Sequence, residues 1–415
     1  MKKTVLFVCT KHFPFGNAEQ YLVDELPSLT QRFDKIVFIP AEKFDTDVST
    51  QRPLPENCEV LLLNAVAEKI KSIRQTGEFF RVFFREWKKC RNKSWFWKER
   101  KRYTSVLLHQ QHLATVFESL LKERFKEFTP LFYAYWIHNS SIMLGLMKQR
   151  GAIKTFASRG HSIDLYESDW ALVRYIKILP FYHFIIEQAA RVFSISQHGT
   201  DYLKKRFPEH ADKFFCSRLG VMENGVNPFG QDAKFTLVSC SNFSDNKRVD
   251  VIAEVFSKLN IPARWIHFGA GPDMKKVEAI AQQFPPHLSA EFRGFTPNEA
   301  IKSFYASETV HLVINLSEAE GIPVSLMEAI SFGIPVMATA VYGNPEIANE
   351  KTGFSIPFHA SPQTIADLME RFASDIESQL KTRESAHKFY FEKFNAKANY
   401  DAFAGELLGL VDVYL

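Results

Sequence analysis

The sequence has few cysteines and no pattern among them. Cys9, Cys58, Cys90, Cys216 and Cys240 are five in number and widely scattered. That spacing excludes a CxxC zinc site and suggests no disulfide framework. Long apolar runs are also missing, since no stretch approaches the roughly 18 to 20 residues of a membrane-spanning helix. The net charge is only +4, so the global balance gives no argument for nucleic acid. Neither an internal repeat nor a low-complexity tract interrupts the chain.

What is present is enough apolar material for a large core. With 415 residues and 46% hydrophobic content, the length suggests two domains. Short β-branched runs alternate with segments of helical spacing, which predicts two doubly wound α/β domains. Met1 to Thr10 has a basic start and an apolar run too short for a signal peptide, so it reads as the first strand. We therefore expect a cytoplasmic protein, with membrane contact only at the periphery of the inner face.

The chemistry concentrates between His311 and Pro345. Val310 to Ser317 reads as a buried strand, Pro323 to Phe332 as a helix and Pro335 to Val341 as the next strand. Pro323 suits a first helical turn, where its missing N–H has no intrahelical partner, and Gly333 with Pro335 is a stop signal. A helix N-terminus at the carboxyl end of a parallel strand favours phosphate through its free N–H groups and dipole. Glu320 and Glu328 frame that point. Carboxylates repel phosphate, so these two are better matched to sugar hydroxyls. The implied ligand carries a diphosphate and at least one polyhydroxylated ring. The plainer alternative leaves Glu320 an ordinary acid near a helix start and Glu328 facing solvent.

The block Ser317 to Gly333, centred on Glu320-Gly-Ile-Pro-Val-Ser-Leu-Met-Glu328-Ala, resembles the donor-site motif of glycosyltransferase family 4, which has the GT-B fold. The resemblance implies two Rossmann-like domains facing across a cleft, with the last helix crossing back to the first domain. It implies that Glu320 contacts the donor sugar, that the backbone of Gly321, Ile322, Pro323 and Val324 contacts the diphosphate, and that Glu328 holds the ribose. Lys247 matches the family's phosphate-binding Lys; Asn242 stands at the usual Arg position, and Arg248 offers the second charge. Gly269 and Gly271 resemble the family's Gly-x-Gly-Pro turn near the donor. That turn lacks the third glycine and downstream acid of a dinucleotide fingerprint, so NAD is unsupported. Arg293 lies where the family approaches the nucleotide base. In the first half, Gly16, Asn17 and Glu19 occupy the place of a Gly-rich loop facing the cleft. Glu19 also suits a first-turn acid complementing a helix dipole. His161 and Asp164 match the His-containing loop that lines the donor and acceptor cleft, with Arg159 beside them.

Arg81 to Tyr103 has the oddest composition. Ten lysines and arginines stand against Glu86 and Glu99, interleaved with six aromatic Phe and Trp residues. Aromatic bodies with basic heads suit an anionic bilayer surface, and we expect Arg85, Trp87, Lys88, Lys89, Arg91, Trp95 and Trp97 to form it. Single-stranded nucleic acid and a solvated basic helix pair are the competing readings. Asp45-Thr-Asp47 matches the metal-binding DxD of another glycosyltransferase fold, but it reads as a solvated turn and we place no metal there.

The expected domains are 1–225 on the acceptor side, 226–395 for the nucleotide-sugar donor, and 396–415 returning to the first. The resemblance implies a retaining, metal-independent glycosyltransferase without a resident cofactor. Its partners would be a nucleotide-diphosphate sugar, with UDP among the candidate nucleotides, and a glycan or lipid-linked oligosaccharide acceptor. The setting would be bacterial-type surface polysaccharide synthesis, such as lipopolysaccharide or capsule. Two other classes stay open: a nucleotide-sugar epimerase or hydrolase of the same fold, and a non-catalytic membrane-surface binding protein.

Overall fold

The computed structural model describes residues 3–16, 19–42, 50–68, 75–90, 92–162, 164–166, 180–230 and 234–410. They form two units, the first running to Ser217 and resuming at Tyr400, the second spanning Arg218–Asn399. The first holds a parallel sheet of β1 (Lys3–Thr10), β2 (Lys35–Pro40), β3 (Cys58–Val60), β4 (Phe128–Ala134), β5 (Ala157–Gly160), β6 (Arg191–Ser194) and β7 (Phe214–Cys216). Its spatial order is β3-β2-β1-β4-β5-β6-β7. The second holds β8 (Phe235–Cys240), β9 (Ala263–Phe268), β10 (Leu288–Phe292), β11 (Leu312–Asn315), β12 (Val336–Thr339) and β13 (Gly353–Ile356), in the order β10-β9-β8-β11-β12-β13. Every strand pair in both sheets is parallel.

The central strands read as continuous apolar runs because helices cover both faces of a parallel sheet; in β1 every residue from Val5 to Thr10 is buried. In the second unit Ile252, Phe256, Trp265, Leu312, Ile365 and Phe372 share one core. The helix Pro362–Ser374 shows how local sequence delivers such residues. Ser361 caps it by accepting the Thr364 N–H, Pro362 fills the first turn, and Ile365, Ala366, Met369 and Phe372 recur on its buried face. From Tyr400 the last helix, Ala396–Leu408, belongs to the first unit, where Phe403, Ala404 and Leu407 pack with Leu22, Leu29 and Tyr133.

Two segments differ from their sequence reading. The sequence over Cys58 to Asn64 reads as a third strand, but the strand stops at Val60, because Leu63 already opens the helix Leu63–Glu68. Gly220 to Lys234, with Gly225, Pro228 and Gly230, reads from sequence as a linker, but its residues 220–230 are anchored within the second unit. Val221 bridges to Asn395, and the Asn227 backbone pairs with Phe332 and Arg383.

Candidate functional site

Strand order selects the place. In the second sheet the winding reverses between β8 and β11, and ligands of doubly wound sheets bind at the carboxyl ends of strands at such a switch point. The loops leaving these two strands are tied together. The Glu318 N–H donates to the Asn246 carbonyl at 2.8 Å, and the Asn246 amide donates to the Ala319 carbonyl at 3.2 Å. This juxtaposition sets Lys247 Nζ 2.5 Å from Glu320 Oε1. Asn315 completes the arrangement, donating to the same Glu320 oxygen at 3.3 Å and accepting the Ser317 N–H at 2.9 Å. A third loop closes on them from β12. A Cβ on Gly343 would lie 1.7 Å from the Gly321 carbonyl oxygen, so only glycine permits that approach.

Arg248 follows a short 3-10 turn, Asp245–Lys247, and adopts φ 48°, ψ 42° before the helix Val249–Phe256. A left-handed arginine is uncommon and marks a constrained loop. Its guanidinium lies 4.5 Å from the Phe358 ring centroid and 3.5 Å from the Leu316 carbonyl. Lys247 and Arg248 thus stand together at a helix start, where their charge opposes the dipole and an anion would relieve it. Asn242 is exposed on the same loop.

Pro323 is the residue before the helix Val324–Ser331 rather than its first member, and the helix begins at the carboxyl end of β11. The Leu326 and Met327 N–H groups donate to the Pro323 carbonyl at 3.1 and 3.3 Å, and the Val324 and Ser325 N–H groups before them have no intrahelical acceptor. Glu328 lies in its second turn and is only 6% exposed, which excludes the solvent-facing alternative. Its Oε1 accepts from Asn298 Nδ2 at 2.8 Å, from the start of the helix Asn298–Ser307. Beside it, burial pushes the Cys240 thiol up to about 12, so it stays protonated.

The glycines after β9 have a packing cause. A Cβ on Gly269 would meet the Ser241 carbonyl oxygen at 1.9 Å, and one on Gly271 the Phe243 carbonyl oxygen at 2.3 Å. Both therefore let this turn press on the lysine-bearing loop. His267, not singled out by the sequence, holds the same loop. Its Nε2–H donates to the Ser241 carbonyl at 3.0 Å, and its Nδ1 accepts from the Ser239 hydroxyl at 2.7 Å. Burial pushes its pKa down to about 4, so the ring is neutral near pH 7. Arg293 pairs with Glu291 at 2.8 Å and lies 4.7 Å from the Phe304 centroid.

The first-unit residues are brought together less than expected. Arg159 is fully buried and bonds Glu25 at 3.0 Å and the Ser217 carbonyl at 2.9 Å, with Phe403 under its guanidinium at 4.4 Å. Its assignment to a cleft is therefore corrected, because on β5 its side chain enters the core. Asp164 is likewise a brace: its two oxygens accept the His161 and Ile137 N–H groups at 2.7 and 2.9 Å. It does not bond the His161 imidazole, so the two are not a base and its orienting acid. His161 donates from Nε2 to the Tyr135 carbonyl at 3.0 Å and lies between the Tyr135 and Trp136 rings. Burial and the Arg159 charge push its pKa down to about 3. Glu19 stands before the helix Tyr21–Arg32 at φ 53° and is not a first-turn acid. Its carboxylate gathers the N–H groups of Lys11, His12 and Phe13 and the Trp136 indole N–H, all within 2.6–2.8 Å. Gly16, at φ 62°, is exposed, with its N–H on the Thr50 carbonyl. Asn17 lies outside the described residues, as do Asp45 to Asp47.

This unit has its own switch point, between β1 and β4. A pocket of about 170 Å³ lies there, lined among others by Lys11, Glu42, His109, Trp136 and His138. Burial and the Lys11 and Arg102 charges push the His138 pKa down to about 4. The sequence reading passed over this histidine because nothing adjacent in the chain marks it.

The basic aromatic stretch folds as helices Thr76–Lys89, Lys93–Lys98 and the start of Arg100–Arg124. Arg85 and Lys89 are exposed but share Glu187 as an ion-pair partner, which leaves less of their charge for a ligand than the expected surface assumed. Trp87 and Trp95 are half-buried, against Trp97 and Tyr103 respectively. Lys88 and Trp97 are exposed, and Arg91 lies outside the described residues. Among the described residues no helix is long and apolar enough to cross a membrane.

Comparison with known proteins bears on the fold and on the second unit. Residues 227–389 match the family described as glycosyl transferases group 1. The chain is 29% identical, over 42% of its length and 44% of the other's, to WcaL, a candidate colanic acid biosynthesis glycosyltransferase of Escherichia coli (strain K12). It is 32% identical, over 39% of its length and 42% of the other's, to the amylovoran biosynthesis glycosyltransferase AmsK of Erwinia amylovora. The matching region thus spans about half the length of these curated relatives or less. Among solved structures, HepE of Anabaena in complex with UDP-glucose superposes with a TM-score of 0.65 at 15% identity, over 98% of this chain and 99% of that one. The architecture is GT-B, built of two Rossmann-like domains, and the likeness to glycosyl transferases group 1 falls on the second unit.

Proposed function

We propose that the chain is a glycosyltransferase that takes a sugar from a nucleotide-diphosphate donor and passes it to a glycan or lipid-linked acceptor in surface polysaccharide assembly. One observation carries this reading: Lys247, Arg248, Glu320, Glu328 and the first turn of Val324–Ser331 converge at the β8/β11 switch point of a glycosyl transferases group 1 domain. The colanic acid and amylovoran relatives suggest the acceptor class, and the UDP-glucose bound to HepE suggests a UDP-sugar.

In this reading the diphosphate lies against the amides from Gly321 onward and the first helical turn. Lys247 leaves Glu320 for the phosphate. The exchange is easy, since a partly exposed ion pair is worth about 1 kcal/mol or less, and hydrogen bonds to charged groups bring about 1.5–3 kcal/mol each. Glu320 is then released to accept from donor sugar hydroxyls, while Glu328, steadied by Asn298, accepts from the ribose.

As the bond from the anomeric carbon to the diphosphate oxygen breaks, negative charge grows on the leaving group. Lys247, Arg248 and the amides oppose it, and on that basis the reaction needs no metal. The acceptor oxygen bonds to the anomeric carbon on the face that the diphosphate leaves. Its proton passes to the departing phosphate, and configuration is retained. The first-unit pocket at Lys11 and His138 is a place for a polar group of the acceptor.

The test is a donor panel with and without oligosaccharide acceptor. UDP release that requires acceptor, and is lost in Glu328→Ala, supports the reading. Conversion of the sugar nucleotide without acceptor would replace it with an epimerase or hydrolase.

A further inference from the structure

The aromatic residues between 79 and 108 are not all packed away. Phe80, Phe84 and Trp97 are 51%, 41% and 42% exposed. With Phe79 and Phe83 they line an open groove of about 610 Å³ between the helix Thr76–Lys89 and the start of Arg100–Arg124. Their rings form a rail: Phe80 stacks on Phe84 at 6.0 Å, and Phe83 meets Trp97 at 6.5 Å.

The rim has one sign of charge. Arg100 and Lys101 border the groove, Arg81 and Lys88 are exposed on the first of its helices, and Lys98 is exposed at the end of the helix Lys93–Lys98. None of these five takes part in an ion pair found among the described residues, whereas Arg85 and Lys89, further round the first helix, share the single carboxylate of Glu187. The segment's acids do not compensate. Glu86 is buried, accepting from the His183 and Phe184 N–H groups, and Glu99 is half-buried.

We propose that this groove is the seat of an anionic lipid surface. Phe80, Phe84 and Trp97 enter the headgroup and acyl boundary, while Arg81, Lys88, Lys98, Arg100 and Lys101 meet lipid phosphates. Charge complementarity selects this occupant: an apolar groove whose charged lining residues are Arg100 and Lys101 fits a layer whose polar zone is anionic and whose interior is hydrocarbon. Long lysine and arginine stems let the charged heads reach the phosphates while their methylenes extend the apolar face. The inference is independent of sugar transfer, because it needs neither donor nor acceptor.

The experiment is co-sedimentation of the full chain, without nucleotide sugar, with vesicles of phosphatidylcholine alone or mixed equally with phosphatidylglycerol. Binding should require the anionic lipid and weaken with added salt. Lys101→Gln should lower partitioning about fivefold, and Phe80→Ser with Phe84→Ser at least about tenfold. All three positions are exposed, so the circular dichroism spectrum should be unchanged. Equal binding to neutral vesicles would overturn the proposal, as would full binding by Arg100→Glu with Lys101→Glu. It would also fall if the wild type self-associates in gel filtration while the double serine variant is monomeric, since the groove would then be a protein interface.

Discussion

Lys247 and Glu320 come from loops 73 residues apart and meet as an ion pair, Nζ to Oε1 at 2.5 Å, at the β8/β11 switch point. In the proposed reading, the cation that takes the phosphate and the carboxylate that takes the sugar satisfy one another until a donor separates them. Asn315 keeps Glu320 in this position from the end of β11, and His267 holds the lysine-bearing loop from β9.

Glu328 should govern nucleotide affinity. Loss of its charge-assisted hydrogen bonds in Glu328→Ala should weaken UDP binding about ten- to hundredfold. Asn298→Ala, which removes the support at Oε1, should cost roughly two- to tenfold, the net worth of one hydrogen bond. Calorimetric titration separates the two, and equal losses would contradict the assigned roles.

Gly343 tests whether the loops must touch. In Gly343→Ala the new Cβ would collide with the Gly321 carbonyl oxygen and displace the backbone proposed to receive the diphosphate. We expect kcat/KM to fall at least about tenfold, since small misplacements of this kind are costly. A variant that keeps full activity would show that the Gly321 backbone is not part of the site.

Acid should unfold the second unit through its buried histidines. In the unfolded chain histidine takes a proton near pH 6.5, whereas His267 and His311 in the fold do so near pH 4. Between these values the unfolded state binds more protons. Stability is therefore complete above about pH 6.5 and is lost as pH falls toward 4, by roughly 3 kcal/mol for each group. Melting temperatures from pH 7.5 to 4.5 should show the fall, and His267→Gln should make it shallower by about one proton. An unchanged slope would remove His267 from this account.

Lys247 and Arg248 are assigned the charge stabilisation that a divalent ion would otherwise supply. Chelation by EDTA should then leave turnover unaltered, while Lys247→Ala should reduce it about a hundredfold. Loss of activity on chelation, restored by magnesium or manganese, would contradict that division of labour.

The strand, helix and turn of the Ser317 to Gly333 block were legible because their signals are local. The β-branched run before Ser317, Pro323 at the helix start and Gly333 at its end all act through nearest neighbours, and Gly333 indeed takes φ 71°. The alternating strands and helices of both sheets were legible for the same reason. Residues whose meaning depends on distant partners were not. Asn315, Asn298 and His267 gain their roles from loops that only the strand order makes adjacent. Arg159 and Asp164 looked like a polar cluster at a strand end, but one enters the core to meet Glu25 and the other takes backbone N–H groups. Glu19 failed as a helix acid because three amides and an indole bind it before the helix begins.

The most direct measurement is to titrate UDP and then a UDP-sugar into the wild type, Glu320→Ala and Lys247→Ala, and to follow turnover in parallel. If the pair is displaced by donor, Glu320→Ala frees the lysine, so UDP should bind as tightly or up to about fivefold more tightly while turnover falls steeply. Lys247→Ala should lose both affinity and turnover. If Glu320→Ala turns over normally, or if Lys247→Ala binds UDP like the wild type, the switch point between β8 and β11 is not the donor site.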